Sequence, residues 1–383
     1  MSRDLSELRV EIDSIDRQIV DLLKQRMTVA NEVAEYKRER DLPVLDSGRE
    51  QALLTKVTTQ AGEEFSGEVR AIYHSILSAS RSYQNVKLDE EGKIYRGISD
   101  ALENTPKLFP QATKVACQGA EGAYAQIACS RMFKTPDITY YRNFEDVFRA
   151  VDNEECEYGV LPIENSTAGS VYAVYDLMQK YNFFIVRSAR MKITHNLLAK
   201  RGVKLEDIRE VVSHEQAIRQ CSKFLANLGV KVTVVRNTAV AAQMVAESDR
   251  TDLAALSSRF CAELYRLDIL QGSVQDRDNN YTRFICISKD HEIYPGADRT
   301  SLMVTVPHRP GSLNAVLSKF TALEINLHKL ESRPLPEREF EFMFYFDLEE
   351  SVYSPGMKKL FQLLEVDCEQ LRYLGSYTEV ICC

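Results

Sequence analysis

The sequence predicts a multi-domain chain in which an all-α segment is followed by an α/β segment and then by an α+β segment. Three observations carry this. The N-terminal part repeats apolar residues at three-four spacing, with neither proline nor glycine before Pro43. From Lys114 short strand-like runs alternate with helical ones. From Ser301 the order becomes βαββαβ, a ferredoxin-like arrangement.

Leu5, Leu8, Ile12, Ile15, Ile19, Leu22 and Leu23 fall on one stripe, which predicts a first helix of about 35 residues. Leu42-Pro43 turns the chain, because proline lacks the N–H that a continuing helix needs. Asp46 and Ser47 are then placed to cap a second helix carrying Leu53, Leu54 and Val57. Ala61-Gly62 breaks it, and Val69, Ile72, Tyr73, Ile76 and Leu77 mark a third helix ending near Gln84. Residues 89–112 are charged and punctuated by Gly92, Gly97, Pro106 and Pro110, the composition of a linker.

Over residues 113–293 the runs KVACQG, YGVLPIE, FFIVRSAR, EVVSH, KVTVVRN, LAALSS and RFICIS read as strands between helices, and two lobes around a central cleft are expected. Cys117-Gln118-Gly119-Ala120-Glu121-Gly122-Ala123-Tyr124 follows a strand and opens a helix, a setting in which backbone N–H groups can meet an anion. It is neither a dinucleotide fingerprint nor a P-loop, so no nucleotide cofactor is expected. In residues 298–383 the strand EFEFMFYFDLE places Phe340, Phe342, Phe344 and Phe346 on one face, the alternation of a sheet with one side on a core.

Composition narrows the function classes. Forty-eight Lys plus Arg against 56 Asp plus Glu give a net charge of -8, which disfavours a general nucleic-acid binder. The nine cysteines are scattered without a CxxC pair, so neither a disulfide framework nor a metal site is expected. The charged N-terminus MSRDLSELRVEIDSID and the lack of a stretch of about 20 apolar residues point away from the membrane and towards a cytoplasmic location.

Among basic residues, spacing singles out a few. Arg26 and Lys37 lie 11 positions apart, which at about 100° per residue brings them to within about 20° of one helical face. Long side chains there can converge on one small dianion. Arg9 is about 25 Å from Arg26 along a straight helix, so it reaches that pocket only from a second copy of the chain. Glu50 also stands three residues after Ser47, where it can close a capping box.

On these residues, LRVEIDSIDRQIVDLLKQRMTVANEVAEYK, VLDSGREQALL and the following helix resemble the all-helical class of chorismate mutases that are fused at the N-terminus of bifunctional bacterial enzymes. The resemblance implies that residues 1–88 bind chorismate in a homodimer or a higher homo-oligomer. Arg9 of a second chain, Arg26 and Arg49 would hold the carboxylates. Lys37 and a protonated Glu50 would address the ether oxygen, Asp46 the hydroxyl, and Ser80 and Gln84 would line the wall.

Downstream, the glycine turn, Glu164-Asn165-Ser166-Thr167-Ala168-Gly169-Ser170, SHEQAIRQCSKFL and Asn280-Tyr281-Thr282-Arg283-Phe284 occur in an order that resembles the prephenate dehydratase family. The resemblance implies that prephenate lies between two lobes and loses water and carbon dioxide to give phenylpyruvate. Thr282 would be the general acid, with Glu164, Asn165, Ser166, Ser213, Gln216, Arg283 and Phe284 around the ligand and His214 as a secondary candidate. Strand alternation turns Thr282 and Arg283 to opposite faces unless the backbone kinks.

Pro310-Gly311-Ser312-Leu313 and Glu331-Ser332-Arg333-Pro334, in a βαββαβ frame, resemble the ACT regulatory domain. This implies phenylalanine binding by Gly311, Ser312, Leu313, Asn326, Glu331 and Ser332, and feedback inhibition. A dehydratase that prefers arogenate and a non-catalytic amino-acid sensor are the rival expectations.

Overall fold

The structure is a computed structural model and describes residues 3–40, 42–88, 92–335, 338–339 and 341–382. The helical N-terminal part consists of α1 (Leu5–Glu39), α2 (Ser47–Leu88) and α3 (Lys93–Asn104). The α/β part follows with β1 (Lys114–Gln118), α4 (Tyr124–Met132), β2 (Asp137–Tyr141), α5 (Phe144–Asp152), β3 (Tyr158–Asn165), β4 (Gly169–Ser170), α6 (Tyr172–Lys180) and β5 (Phe184–Lys192). It continues with β6 (Asn196–Ala199), β7 (Glu210–Ser213), α7 (Glu215–Gln220), α8 (Ser222–Leu228), β8 (Lys231–Val234), α9 (Thr238–Glu247), β9 (Leu253–Ser257), α10 (Arg259–Leu264), β10 (Asp268–Gln271) and β11 (Tyr281–Ser288). The C-terminal part is β12 (Arg299–Thr305), α11 (Ser312–Ala322), β13 (Leu327–Pro334), β14 (Phe342–Leu348), α12 (Pro355–Asp367) and β15 (Gln370–Cys382), in the expected βαββαβ order.

The first helix has the anticipated 35 residues. The second and third expected helices run on as one, α2, with Gly62 at φ 72° and ψ 176° interrupting it where the break was anticipated. Asp46 caps α2, its Oδ1 accepting from the Arg49 N–H at 2.9 Å. Glu50 therefore does not form the capping box with Ser47.

Two expectations need correction. The segment read as a linker contains the 12-residue helix α3, because Ile94, Ile98 and Ala101 fall on one helical stripe, and Ile98 is fully buried. In β14 the phenylalanine face is not the buried one: Phe342 is exposed and Phe344 half-buried, whereas Met343, Tyr345, Phe346 and Asp347 are buried. From Tyr345 to Leu348 both faces of the strand are covered, so alternation loses its meaning over those residues. Phe340 lies outside the described residues.

The chain forms two compact units, one of Met1–Ser99, Met303–Phe344 and Tyr353–Arg372, the other of Asp100–Leu302, Tyr345–Val352 and Tyr373–Cys383. In the first unit α1 and α2 pack together and α2 meets α12, where the Ser78 hydroxyl donates to Asp367 at 3.4 Å. The second unit holds two sheets. The smaller runs β10-β6-β9-β7-β8, with apolar clusters on its two faces centred on Ala241, Ala255 and Val245 and on Leu197, Leu225 and Leu256.

The larger sheet of this unit runs β14-β12-β15-β5-β11-β3-β1-β2, with β14 and β12 contributing residues 345–348 and 299–302. Its core packs Val115, Cys117, Val160, Phe284 and Cys286 against α4. The final strand joins it in parallel, pairing Thr378 with Arg187 and Cys382 with Met191. No helix among the described residues is long and apolar enough to cross a membrane.

The seam between β15 and β5 depends on Gly375. Its φ of 136° suits few other residues, and a Cβ there would lie 2.2 Å from the Ile185 carbonyl oxygen. Gly375→Ala should cost about 3 kcal/mol from overpacking and backbone strain, read as a lower urea midpoint by tryptophan-free far-UV dichroism.

Candidate active sites

The helices α1 and α2 bring together part of the N-terminal set. Arg26 Nη1 donates to Ser80 Oγ at 2.9 Å, and Ser80 and Gln84 are buried beside it on α2. Lys37 Nζ donates to the Val44 carbonyl at 2.6 Å, which ties the end of α1 to the connection before α2. Arg49 and Asp46 are exposed at the start of α2, and Arg9 is exposed on α1.

Glu50 is met by a residue that sequence reasoning missed. Arg81 Nη1 contacts both of its oxygens, one at 2.6 Å, so that Glu50 here accepts in an ion pair. The signal was available, since Arg81 follows Ser80 directly on a helix already read as pocket-lining. Along α1, Leu5, Leu8, Ile12, Ile15, Ile19 and Leu22 are exposed by 37% to 63%, a three-four stripe with nothing from the chain's own described residues to cover it.

In the second unit, β3 and β11 pair antiparallel with Thr282 opposite Asn165 and Arg283 opposite Glu164. Thr282 Oγ1 accepts from Asn165 Nδ2 at 2.9 Å. The orientation of Asn165 follows from a one-directional ring of hydrogen bonds. Asn165 Nδ2 donates to Asn280 Oδ1 at 2.8 Å, Asn280 Nδ2 to Gln220 Oε1 at 2.9 Å, Gln220 Nε2 to Thr167 Oγ1 at 2.8 Å, and Thr167 Oγ1 to Asn165 Oδ1 at 2.7 Å. The N–H groups of Thr167 and Ala168 also donate to Asn165 Oδ1, closing the turn into β4.

Each amide in the ring has one way round that satisfies both neighbours. Thr282 thus receives a hydrogen bond, and among the described residues none accepts its proton. His195, buried, shares Gln220 Oε1 through Nε2 at 2.9 Å, so that nitrogen carries the proton. Burial lowers the His195 pKa below 6.5. Thr167, Gln220 and Asn280 lie within the motifs that carry the resemblance but were not named there as site residues, and His195 lies outside those motifs.

Several anticipated ligand contacts are used internally. Ser213 is fully buried, and its single proton goes to the Leu256 carbonyl at 2.7 Å, joining β7 to β9. Ser166 donates to the Asn279 carbonyl at 2.6 Å and accepts from Tyr281 N–H at 2.9 Å. Phe284 belongs to the core under α4. His214 caps α7 by accepting from the half-buried Gln216's N–H at 3.3 Å.

Arg283 does face away from Thr282, as alternation requires. Its side chain is 3% exposed and pairs with Asp347 of β14 and, through Nε at 2.8 Å, with Glu164. So engaged, the guanidinium is a buried charge between two carboxylates, and its Nη2 has no hydrogen-bond partner among the described residues. In the C-terminal part Gly311, at φ 86°, is the residue before α11, and the hydroxyl of Ser312 is buried without a hydrogen-bond partner among the described residues. Leu313 is half-buried beside them, whereas Asn326 and Ser332 are exposed and Glu331 half-buried around β13.

Comparison with known proteins matches both segments of the chain. A family model described as chorismate mutase type II matches residues 8–85, and one described as prephenate dehydratase matches residues 115–292. A bifunctional chorismate mutase/prephenate dehydratase of Aquifex aeolicus is 31% identical, covering 99% of this chain and 99% of its own. An arogenate dehydratase/prephenate dehydratase of Arabidopsis thaliana is 36% identical over 69% of this chain and 72% of its own. The crystal structure of a prephenate dehydratase from Arthrobacter aurescens in complex with L-Phe superposes with a TM-score of 0.64, at 26% identity, over 69% of this chain and 90% of the other. With its helical segment, its dehydratase segment and its full-length likeness to such an enzyme, this chain belongs to the bifunctional chorismate mutase/prephenate dehydratase family.

Proposed function

We propose that the two activities of the family are carried here by two separate sets of side chains, with Thr282 as the general acid of the dehydratase and the Arg26–Ser80 neighbourhood as the floor of the mutase pocket. The observation that carries the dehydratase assignment is the Asn165 hydrogen bond to Thr282 Oγ1. It leaves the threonine proton free to be given away and supplies a donor to the oxygen left behind.

In prephenate the ring carboxylate leaves as carbon dioxide, and its bonding electrons enter the ring. They expel the hydroxyl at the opposite carbon, which takes the Thr282 proton and departs as water. Aromatisation supplies the driving force, so the protein's tasks are orientation and one proton. The hydrogen-bonded ring of Asn165, Asn280, Gln220 and Thr167 meets the first task by fixing Asn165. Resemblance to the plant arogenate dehydratase/prephenate dehydratase supports arogenate as a second substrate of the same site, since the reacting ring is identical and only the side chain differs.

For the mutase, the rearrangement of chorismate to prephenate is unimolecular, and cations that pin the dianion in its reactive conformer suffice. Arg26, Lys37 and Arg49 are the candidates within one chain. Because Glu50 is an acceptor for Arg81, the donor to the ether oxygen is assigned to Lys37 alone. The exposed stripe on α1 supports a dimer in which a second chain covers those residues and brings its own Arg9. The helix start at Gly311 and Ser312, with its unpartnered hydroxyl, supports phenylalanine binding and feedback inhibition, with Leu313, Asn326, Glu331 and Ser332 nearby in the sequence of the module.

Thr282→Ala should lower prephenate turnover by at least about a hundredfold while leaving chorismate loss intact, followed by phenylpyruvate absorbance in alkali and chorismate absorbance in turn. Equal loss of both activities would contradict separate sites. Mixing an Arg9→Ala chain with an Arg26→Ala chain should restore mutase activity to about a quarter of the wild-type level once dimers exchange, because half the dimers are then mixed and each holds one intact site.

His195 gives a pH test. Its folded pKa is depressed, so the unfolded chain takes up the proton first as pH falls below 6.5. The stabilisation from the neutral ring is complete above that value and is lost progressively on acidification. Calorimetric melting temperatures of His195→Gln should therefore fall less steeply than those of the wild type as the pH drops below 6.5.

A further inference from the structure

Thr282 and Arg283 are neighbours on β11, and Asn165 and Glu164 are neighbours on β3, facing each other in register. One face of this strand pair therefore carries the Thr282–Asn165 pair, and the other carries the Arg283–Glu164 ion pair, one residue away. A bulge between Arg283 and Phe284 ends the regular pairing just beyond them.

The second carboxylate on Arg283 comes from the C-terminal module. Asp347 on β14 is fully buried. Its Oδ1 accepts from Ser301 of β12 at 3.0 Å and from Tyr377 of β15 at 3.1 Å, and Tyr345 OH donates to Ser301 Oγ at 3.0 Å. Three strands of the module thus converge on one carboxylate, and that carboxylate holds one arginine of the dehydratase. Burial opposes the charge on Arg283, but Asp347, with Tyr377, Tyr345 and Glu164, holds its pKa well above the ordinary value.

We propose that Asp347 is a positioning residue of the dehydratase: through Arg283 it sets the register of Thr282 against Asn165, and it is the point at which the state of the C-terminal module reaches the reaction. The proposal rests on the assignment of Thr282 as the acid. It follows from the geometry that Asp347 cannot move relative to β11 without breaking a buried charge pair or carrying Arg283 along. Arg283 in turn is joined to Thr282 by a single peptide bond. A ligand that shifts β14 or β12 therefore changes the distance from Thr282 to Asn165 and to substrate, and so changes rate more than affinity.

The test uses the full-length protein with Asp347→Asn and with the charge-balanced double change Asp347→Asn, Arg283→Gln. The double variant removes both members of the fully buried pair together and leaves the half-buried Glu164 as the one remaining charge, so a calorimetric melting temperature taken alongside separates positioning from folding. In both, kcat for prephenate should fall by about tenfold to a hundredfold with KM changed by less than about threefold, while mutase kcat/KM is unchanged. Calorimetry should still show phenylalanine binding, yet the residual dehydratase rate should no longer respond to it. Wild-type prephenate kcat in the double variant, or undiminished phenylalanine inhibition in either variant, overturns the proposal. Thr282→Ala assayed alongside keeps the two claims apart: full activity there removes the assignment of the acid, whereas the role of Asp347 is judged on its own rates.

Discussion

A guanidinium buried within a sheet is the constraint on which the second unit depends. Moving such an ion out of water costs several kcal/mol even after relaxation, and the cost is offset only if counter-charges and hydrogen bonds are held in good geometry. Arg283 obtains its counter-charges from Glu164 on one side and Asp347 on the other, and its Nη1 donates to Asp347, while Nε and Nη2 have no hydrogen-bond partner among the described residues. Asp347 is itself satisfied by hydroxyls from β12 and β15. The strands of the C-terminal module are thus required by the electrostatics of the dehydratase strand, and the parallel pairing of β15 with β5 is the backbone expression of that requirement.

The two catalytic sites solve their problems with different chemistry. For the proposed mutase pocket, a dianion that only has to be held in one conformer would call for cations, and α1 and α2 carry Arg26, Lys37 and Arg49. Dehydration calls for one proton at one place. On the proposed assignment of Thr282, the neutral ring of three amides and the Thr167 hydroxyl would fix direction without adding charge that perturbs a carboxylate-bearing substrate. In the helical part the half-buried Glu50 is neutralised by Arg81, as a carboxylate beside the proposed dianion pocket would need to be.

Much of the site was legible. Thr282, Asn165 and Glu164 stand together on paired strands, a grouping that the resemblance to the dehydratase family implied, and the opposite orientation of Thr282 and Arg283 followed from the pleat. What could not be read was the partner of each group. Ser213 and Ser166 look like ligand-facing hydroxyls in a sequence, yet their protons go to the carbonyls of Leu256 and Asn279, which lie 43 and 113 residues away along the chain. A hydroxyl's role depends on the nearest acceptor, and long-range pairing decides which acceptor that is.

The sequence by itself determined the order of the helical, α/β and βαββαβ segments, because side-chain periodicity is a local property that no later packing can erase. It also determined that Arg9 is too far from Arg26 to share a pocket within one chain, since the rise of a helix is fixed. Only the tertiary structure decided that Asp347 is the counter-charge of Arg283, that His195 and Gln220 hold the ring around Asn165, and that the last strand belongs to the dehydratase sheet. Those outcomes depend on which distant groups must share a desolvated space, and that demand arises only once the sheets have closed and water has left.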